Sequence, residues 1–272
     1  MPPPGFSLSV GEMRLLSLTT LSSGSSGNCL LLSDGSTHLL VDAGISARRI
    51  EKSLKTLGIE PRELSGILIT HDHSDHVAGL TTFTRHHALP VYASAPAGQQ
   101  LCYRIAAIED LLRSFSPGDC FSIGGLEVSS FPTLHDAPGS VGYSVTDGKR
   151  RCAVVTDLGI VTAEVLEGAA NCDLLVVETN HDPDWLRSGS YPQFLKLRIL
   201  GDHGHLSNDA GADLACACVS RGARRVVLAH LSQENNSPQR AYDTVKAKLS
   251  ALGSDALLSV APRCEPGPVY LV

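Results

Sequence analysis

Gly66-Ile67-Leu68-Ile69-Thr70-His71-Asp72-His73-Ser74-Asp75-His76-Val77 places His71, His73, Asp75 and His76 directly after a short apolar run. Gly66 to Thr70 reads as a buried strand. In extended chain, residues i and i+2 face the same way, so the imidazoles of His71 and His73 can meet one cation. Asp75 and His76 follow as the chain turns into a helix predicted over Val77 to His86. That turn sets a carboxylate and a third imidazole on the opposite side. A solvated loop gives no reason to gather such a set.

Further out, three residues of the same chemistry recur at the ends of strand-like runs. His135 follows Leu126 to Phe131, Asp157 follows Cys152 to Thr156, and His230 follows Val226 to Ala229. Rigid strands aim functional groups while the loops beyond them stay open. Leu15 to Thr20, Cys29 to Leu32, Leu39 to Val41, Val91 to Ala93, Val141 to Val145 and Leu174 to Val177 read as further strands. Apolar residues at 45, 50, 54 and 57 predict an amphipathic helix from Ile45 to Leu57 closed by Gly58. Other helices are expected at 160–168, 207–221 and 238–251. The strand-strand-helix grammar occurs twice, before and after about residue 135. This predicts an α/β fold with two sheets sandwiched between helices, one domain over 13–272. Residues 1–12 read as a disordered leader or a misassigned start.

Composition excludes several classes. With 43% hydrophobic and 18% charged residues, the chain is an ordinary globular protein. A net charge of −6 without a basic tract argues against broad coating of nucleic acid, although not against an enzyme that grips a few phosphates. The eight cysteines include no CxxC pair, and most lie in apolar runs as small hydrophobes, so reduced thiols and a cytoplasmic setting are expected. No export signal is read in Met1 to Phe6. No run reaches the roughly 18 apolar residues needed to span a bilayer.

His-x-His-x-Asp-His, followed at a distance by His, Asp and His in that order, resembles the defining pattern of the metallo-β-lactamase superfamily. The resemblance runs over nearly the whole chain from Met13. It implies the four-layer αββα sandwich and two divalent ions, with zinc, manganese or iron all suited to mixed His/Asp ligands. Carried over, His71, His73 and His135 look like ligands of one ion, Asp75, His76 and His230 like ligands of the second, and Asp157 like the bridge. Asp42, in Asp42-Ala43-Gly44, matches the family's Asp-x-Gly element and would orient ligands; its other reading is a turn-forming Asp.

Two such ions can hold a hydroxide at neutral pH and polarise a phosphoryl or carbonyl group, so the metals alone do not choose the substrate. Glu178-Thr179-Asn180-His181-Asp182, Gly204-His205-Leu206-Ser207-Asn208, His230 to Asn236 and the Ser22 to Asn28 loop look like the YycJ/WalJ branch. That branch comprises bacterial phosphodiesterases with 5′-to-3′ DNA exonuclease activity. Glu178 and His205 are also similar to the glutamate and histidine of tRNase Z, where the histidine assists the leaving alkoxide. The resemblance therefore implies a DNA substrate, with Asp75, Glu178 and His205 as catalytic residues. The other reading of His205 is the cap of the helix starting near Ser207. The Ser/Gly loop is either a phosphate-binding nest or a tight turn. Arg187, Lys196 and Arg198 are candidates for backbone contacts. The interval from Asp157 to His230 is too short for a β-CASP insertion, and the flexible arm of tRNase Z has no counterpart. The alternative is a thioester or lactone hydrolase like glyoxalase II, which would not need His205.

Overall fold

The computed structural model describes residues 15–272; the expected leader, 1–12, lies outside them. The first half forms β1 (Ser17–Ser22), β2 (Cys29–Ser33), β3 (His38–Val41), β4 (Leu64–Leu68), β5 (Val91–Ser94) and β6 (Leu112–Phe115). The second half forms β7 (Cys120–Ile123), β8 (Leu126–Pro132), β9 (Val141–Thr146), β10 (Arg151–Val155), β11 (Leu174–Glu178), β12 (Arg225–Ala229) and β13 (Leu257–Val260). A final strand, β14 (Tyr270–Leu271), returns to the first sheet beside β1. The sheets run β14-β1-β2-β3-β4-β5-β6 and β13-β12-β11-β10-β9-β8-β7. Each pairs antiparallel through its meander and then parallel, from β3 to β6 in one and from β10 to β13 in the other.

Period-two alternation builds the layers. In β2, Leu30 and Leu32 enter the core between the sheets, whereas Cys29 and Leu31 face the helices outside. In β11, Val176 points inward and Leu175 and Val177 outward. The outer face of the first sheet is covered by α1 (Ala47–Thr56), α3 (Leu80–His86) and α4 (Ala95–Arg104). That of the second is covered by α5 (Ala163–Gly168), α8 (Asn208–Ser220) and α9 (Pro238–Ala251). Between them, α2 (Ser74–Val77) follows β4, and α6 (Pro183–Ser188) and α7 (Gln193–Leu200) follow β11. The arrangement is the expected αββα sandwich.

Two details differ from the sequence reading. The chain changes sheets between Phe115 and Cys120, not near residue 135, because Gly124-Gly125 closes a β7–β8 hairpin that already belongs to the second sheet. The helix expected over Val77 to His86 breaks at Ala78-Gly79. Gly79 donates its N–H to Ala43 O, and a Cβ there would lie 1.9 Å from Ile45 O, so only glycine permits this approach.

The sheets are joined beneath the motif. Tyr143, fully buried on β9, donates its hydroxyl to Ile69 O at 2.6 Å, and Val141 N bonds Thr70 O at 3.0 Å.

Candidate metal centre

The motif residues converge where strands of both sheets end. Asp42 follows β3, His71 follows β4, His135 follows β8, Asp157 follows β10, Glu178 ends β11 and His230 follows β12. Among the described non-glycine residues, Asp42, Asp157, Asn171 and His230 have positive φ, and three of these four belong to this cluster, at 62°, 60° and 56°. Such conformations cost about 1–3 kcal/mol each, so the surroundings must hold them. The His230 turn is held from across the molecule, its N–H donating to Ser23 Oγ at 2.9 Å. The Asp42 N–H donates to Leu68 O at 2.8 Å.

His71, His73 and His135 offer ring nitrogens within 4.8 Å of one another, and Asp75, His76 and His230 form a second such group. Asp157 stands between the two groups. Its carboxylate lies 3.3 Å from His76 Nε2, 3.4 Å from His230 Nε2 and 3.9 Å from His135 Nε2.

Outside the cluster, the other ring nitrogens are engaged. Asp42 Oδ2 meets His76 Nδ1 at 2.7 Å, and Asp42 Oδ1 accepts from Thr70 N at 2.9 Å. Thr70 Oγ1 lies 2.9 Å from Asp42 Oδ2 and 3.0 Å from His71 Nδ1. It therefore donates to the carboxylate and accepts from the imidazole. His135 Nδ1 donates to Gly204 O at 3.0 Å. These pairings leave the Nε2 lone pairs of His71, His76 and His135 turned inward. His71 Nε2 and Asp157 Oδ2 are buried without a hydrogen-bond partner among the described residues. A nitrogen and oxygen donor set with orphaned inward atoms is what divalent zinc, manganese or iron requires, so the residues fit such ions.

Burial disfavours charge on His76 and His230, but Asp157 and the other neighbouring carboxylates outweigh it and raise the pKa of both rings. Burial, reinforced by His76, His135 and His73, holds His71 well below the usual imidazole range and therefore neutral. Burial opposes the charge on Asp75, but the adjoining His230 and His76 rings outweigh it and keep the carboxyl well below its usual range. Burial likewise opposes ionisation of Glu178, yet His205 and His230 hold it low.

Glu178 is completely buried, and its Oε1 lies 2.8 Å from His205 Nδ1 and 2.9 Å from His230 Nδ1. Its Oε2 accepts from the backbone N–H of Leu158 and Leu206, at 3.2 Å each. His205 is not the cap of α8. That place belongs to Ser207, whose Oγ accepts from Ala210 N, while the His205 ring turns to Glu178 and the open cleft. Asn28 Nδ2 lies 3.0 Å from His76 Nε2 and 3.3 Å from Asp75 Oδ2. Asn180 Nδ2 donates to His230 O at 3.0 Å. The support from Ser23, Asn28 and Asn180 has no spacing signal in the sequence; polar residues in the loops quoted above were the only hint.

Gly24 to Gly27 form a tight turn with Gly27 N bonding Gly24 O, and Ser25 reaches the cleft. Arg198 pairs with Asp136 at the cleft edge, and Lys196 Nζ binds the carbonyls of Arg187 and Gly189 at 2.8 and 2.7 Å. Arg187 pairs with Asp184 on the exposed surface. His203 is exposed, and only its backbone reaches Asp136. The eight cysteines are free thiols, four of them buried. Among the described residues no helix is long and apolar enough to cross a membrane.

Comparison with known proteins bears on these features. The family described as a beta-lactamase superfamily domain matches residues 37–231. The chain is 36% identical over 239 residues to the exodeoxyribonuclease YycJ of Bacillus anthracis, covering 88% of this chain and 90% of that one. It is 35% identical over 233 residues to the exodeoxyribonuclease WalJ of Streptococcus pneumoniae strain D39, covering 85% and 87%. Among solved structures, the metallo-β-lactamase-fold protein YhfI of Bacillus subtilis superposes with a TM-score of 0.68 at 19% identity, over 94% of this chain and 99% of that one. The short form of human tRNase Z gives 0.66 at 18% identity, over 94% and 100%. At these identities the two structures speak for the fold alone.

Proposed function

The chain belongs to the metallo-β-lactamase branch of the β-lactamase superfamily, and from that premise we propose that it is a dinuclear-metal phosphodiesterase that removes nucleotides from DNA ends. The observation that carries this reading is the Glu178–His205 pair at the rim of the metal cluster. His71, His73 and His135 would hold one ion, Asp75, His76 and His230 the other, with Asp157 between them. Those ions would supply a nucleophilic oxygen at neutral pH and Lewis-acid polarisation of the phosphoryl group.

The residues of the chain do the rest. Glu178 is a carboxylate that can only accept, so it fixes Nδ1–H on His205 and leaves Nε2 toward the cleft. Burial disfavours the charged imidazole, but Glu178 and Asp157 outweigh it and raise the His205 pKa. A protonated His205 can hand its Nε2 proton to a departing sugar oxygen, a poor leaving group without it. Such help is worth roughly 10²–10⁴ in rate. Asp75, beside His76 and His230, lines the same cleft. DNA as substrate is supported by the two exodeoxyribonuclease relatives, and a cytoplasmic site of action by the free thiols.

The test compares wild type and His205→Ala on single-stranded DNA, bis(p-nitrophenyl) phosphate and a thioester, with zinc and with manganese. DNA cleavage should need metal and fall about 10²–10⁴-fold in the variant. The nitrophenyl ester should suffer less, because nitrophenolate leaves without a proton. Thioester turnover indifferent to His205, with phosphodiesters untouched, would sink the assignment.

A further inference from the structure

Ligand-type side chains converge a second time, away from the motif. Glu51 lies on α1, His86 ends α3 and His87 follows it. None of the three lines the cleft at the metal centre. Each offers one donor atom, and the three donors lie within 4.8 Å of one another. His87 Nε2 is 3.0 Å from Glu51 Oε1, and His86 Nδ1 is 3.7 Å from the same oxygen.

Two histidines in a row do not ordinarily meet one partner. Successive side chains leave a helix about 100° apart, so neighbouring imidazoles diverge. Here the helix stops between them. His87 takes extended backbone, φ −132° and ψ 97°, while its N–H still closes on Phe83 O at 2.8 Å. Its ring rests on that of Phe83, with centroids 4.9 Å apart, and stands edge-on to the ring of His86 at 6.1 Å. Both imidazoles thus turn a nitrogen toward α1, where Glu51 stands.

A hydrogen bond between His87 and Glu51 explains one of the two approaches. It leaves the other without a reason, because 3.7 Å is beyond hydrogen-bond reach for His86 Nδ1. A single cation accounts for both. Zinc holds imidazole nitrogens at about 2.0–2.1 Å and carboxylate oxygens at about 2.0–2.2 Å, which sets tetrahedral donors about 3.3–3.6 Å apart. The separations of 3.0 and 3.7 Å bracket that edge.

We propose that Glu51, His86 and His87 bind a zinc ion, through two imidazoles and one carboxylate, with water in the fourth position. The His86 side chain is 56% exposed, so the ion enters from solvent. Bound there, it staples α1 to α3. Both helices begin just beyond segments that pack behind the motif: α1 follows Ala43-Gly44, and α3 follows Gly79, whose N–H bonds Ala43 O. The ion therefore steadies this half of the molecule and takes no part in the chemistry of the cleft. The site depends neither on the motif centre nor on the phosphodiesterase reading.

The test counts zinc per chain by native mass spectrometry, and follows Tm with and without zinc. Wild type is compared with His86→Ala, His87→Ala and Glu51→Gln, and with His203→Ala as a control at an exposed histidine elsewhere. After equilibration at one buffered free-zinc concentration, wild type and His203→Ala should hold one zinc more than each of the other three. Glu51→Gln keeps an oxygen that can accept from His87, so it separates ligation from the hydrogen bond. Zinc should also raise Tm less in those three variants than in wild type. Equal zinc content in all the proteins would overturn the site, and so would a loss in His203→Ala matching that in the others. If the motif centre takes no ion, wild type should still hold a single zinc that the three variants lose, which keeps the two failures distinguishable.

Discussion

Glu178 Oε1 is shared: it accepts from His205 Nδ1 at 2.8 Å and, from the other side, from His230 Nδ1 at 2.9 Å. One buried oxygen thus sets the tautomer of the proposed proton donor and of a proposed metal ligand. Glu178→Gln should lower both DNA cleavage and bound metal, each about 10–100-fold in rate or affinity. His205→Ala should leave metal content intact while cleavage falls. Metal analysis of the purified variants beside their kcat values separates the two; intact metal in Glu178→Gln would show that the His230 bond is idle.

Asp42 gives a second test of support from behind the proposed ligands. Its carboxylate holds His76 directly and His71 through the Thr70 hydroxyl. Asp42→Ala should weaken metal affinity about 10–100-fold, read by competition with a chromophoric chelator. It should also weaken the αL turn at φ 62°, which aspartate tolerates better than alanine.

Removing metal should destabilise the fold. Without a cation, His71 Nε2 and Asp157 Oδ2 are buried with no hydrogen-bond partner among the described residues. Ions present at about 100 times their Kd stabilise by about 2.7 kcal/mol per site. Chelation should therefore lower Tm by several degrees in differential scanning fluorimetry, and zinc or manganese should restore it. A melting curve indifferent to chelator and metal would count against the centre.

Gly44 should not tolerate a side chain. A Cβ there would lie 1.7 Å from the Asp75 carbonyl and 2.7 Å from Asn28 N. Gly44→Ala forces the motif loop outward, at a cost of about 1–3 kcal/mol or more. Lower Tm together with weaker metal binding is expected.

Acid stability should depend on Asp182, the N-cap of α6. Its Oδ1 accepts from Asp184 N and Trp185 N, and Arg240 pairs with Oδ2 at 2.6 Å. Burial opposes its charge, but the Trp185 N–H and the Arg240 guanidinium win, and its pKa is lowered on folding. The stabilisation is therefore complete above the unfolded carboxyl pKa and fades as pH falls through the lower folded value. Asp182→Ala should cost about 1 kcal/mol at pH 7 by denaturant unfolding. The difference from wild type should shrink below about pH 4.

By itself the sequence determined the sandwich and the composition of its centre, since both are written in short-range terms. Strand alternation decides which face of Leu30-Leu31-Leu32 is buried where, and the spacing of His71, His73, Asp75 and His76 decides how the side chains leave the backbone. His135, Asp157 and His230 were legible because each ends an apolar run. The tertiary structure alone decided what stands behind them. Ser23 reaches His230 across 207 residues of chain, and Glu178 reaches it across 52. It also decided that the sheets change hands after Phe115, and that α7 stands beside the cleft without a buried residue. These relations arise from packing one sheet against the other, and no local periodicity encodes which loop of the second sheet will meet which loop of the first.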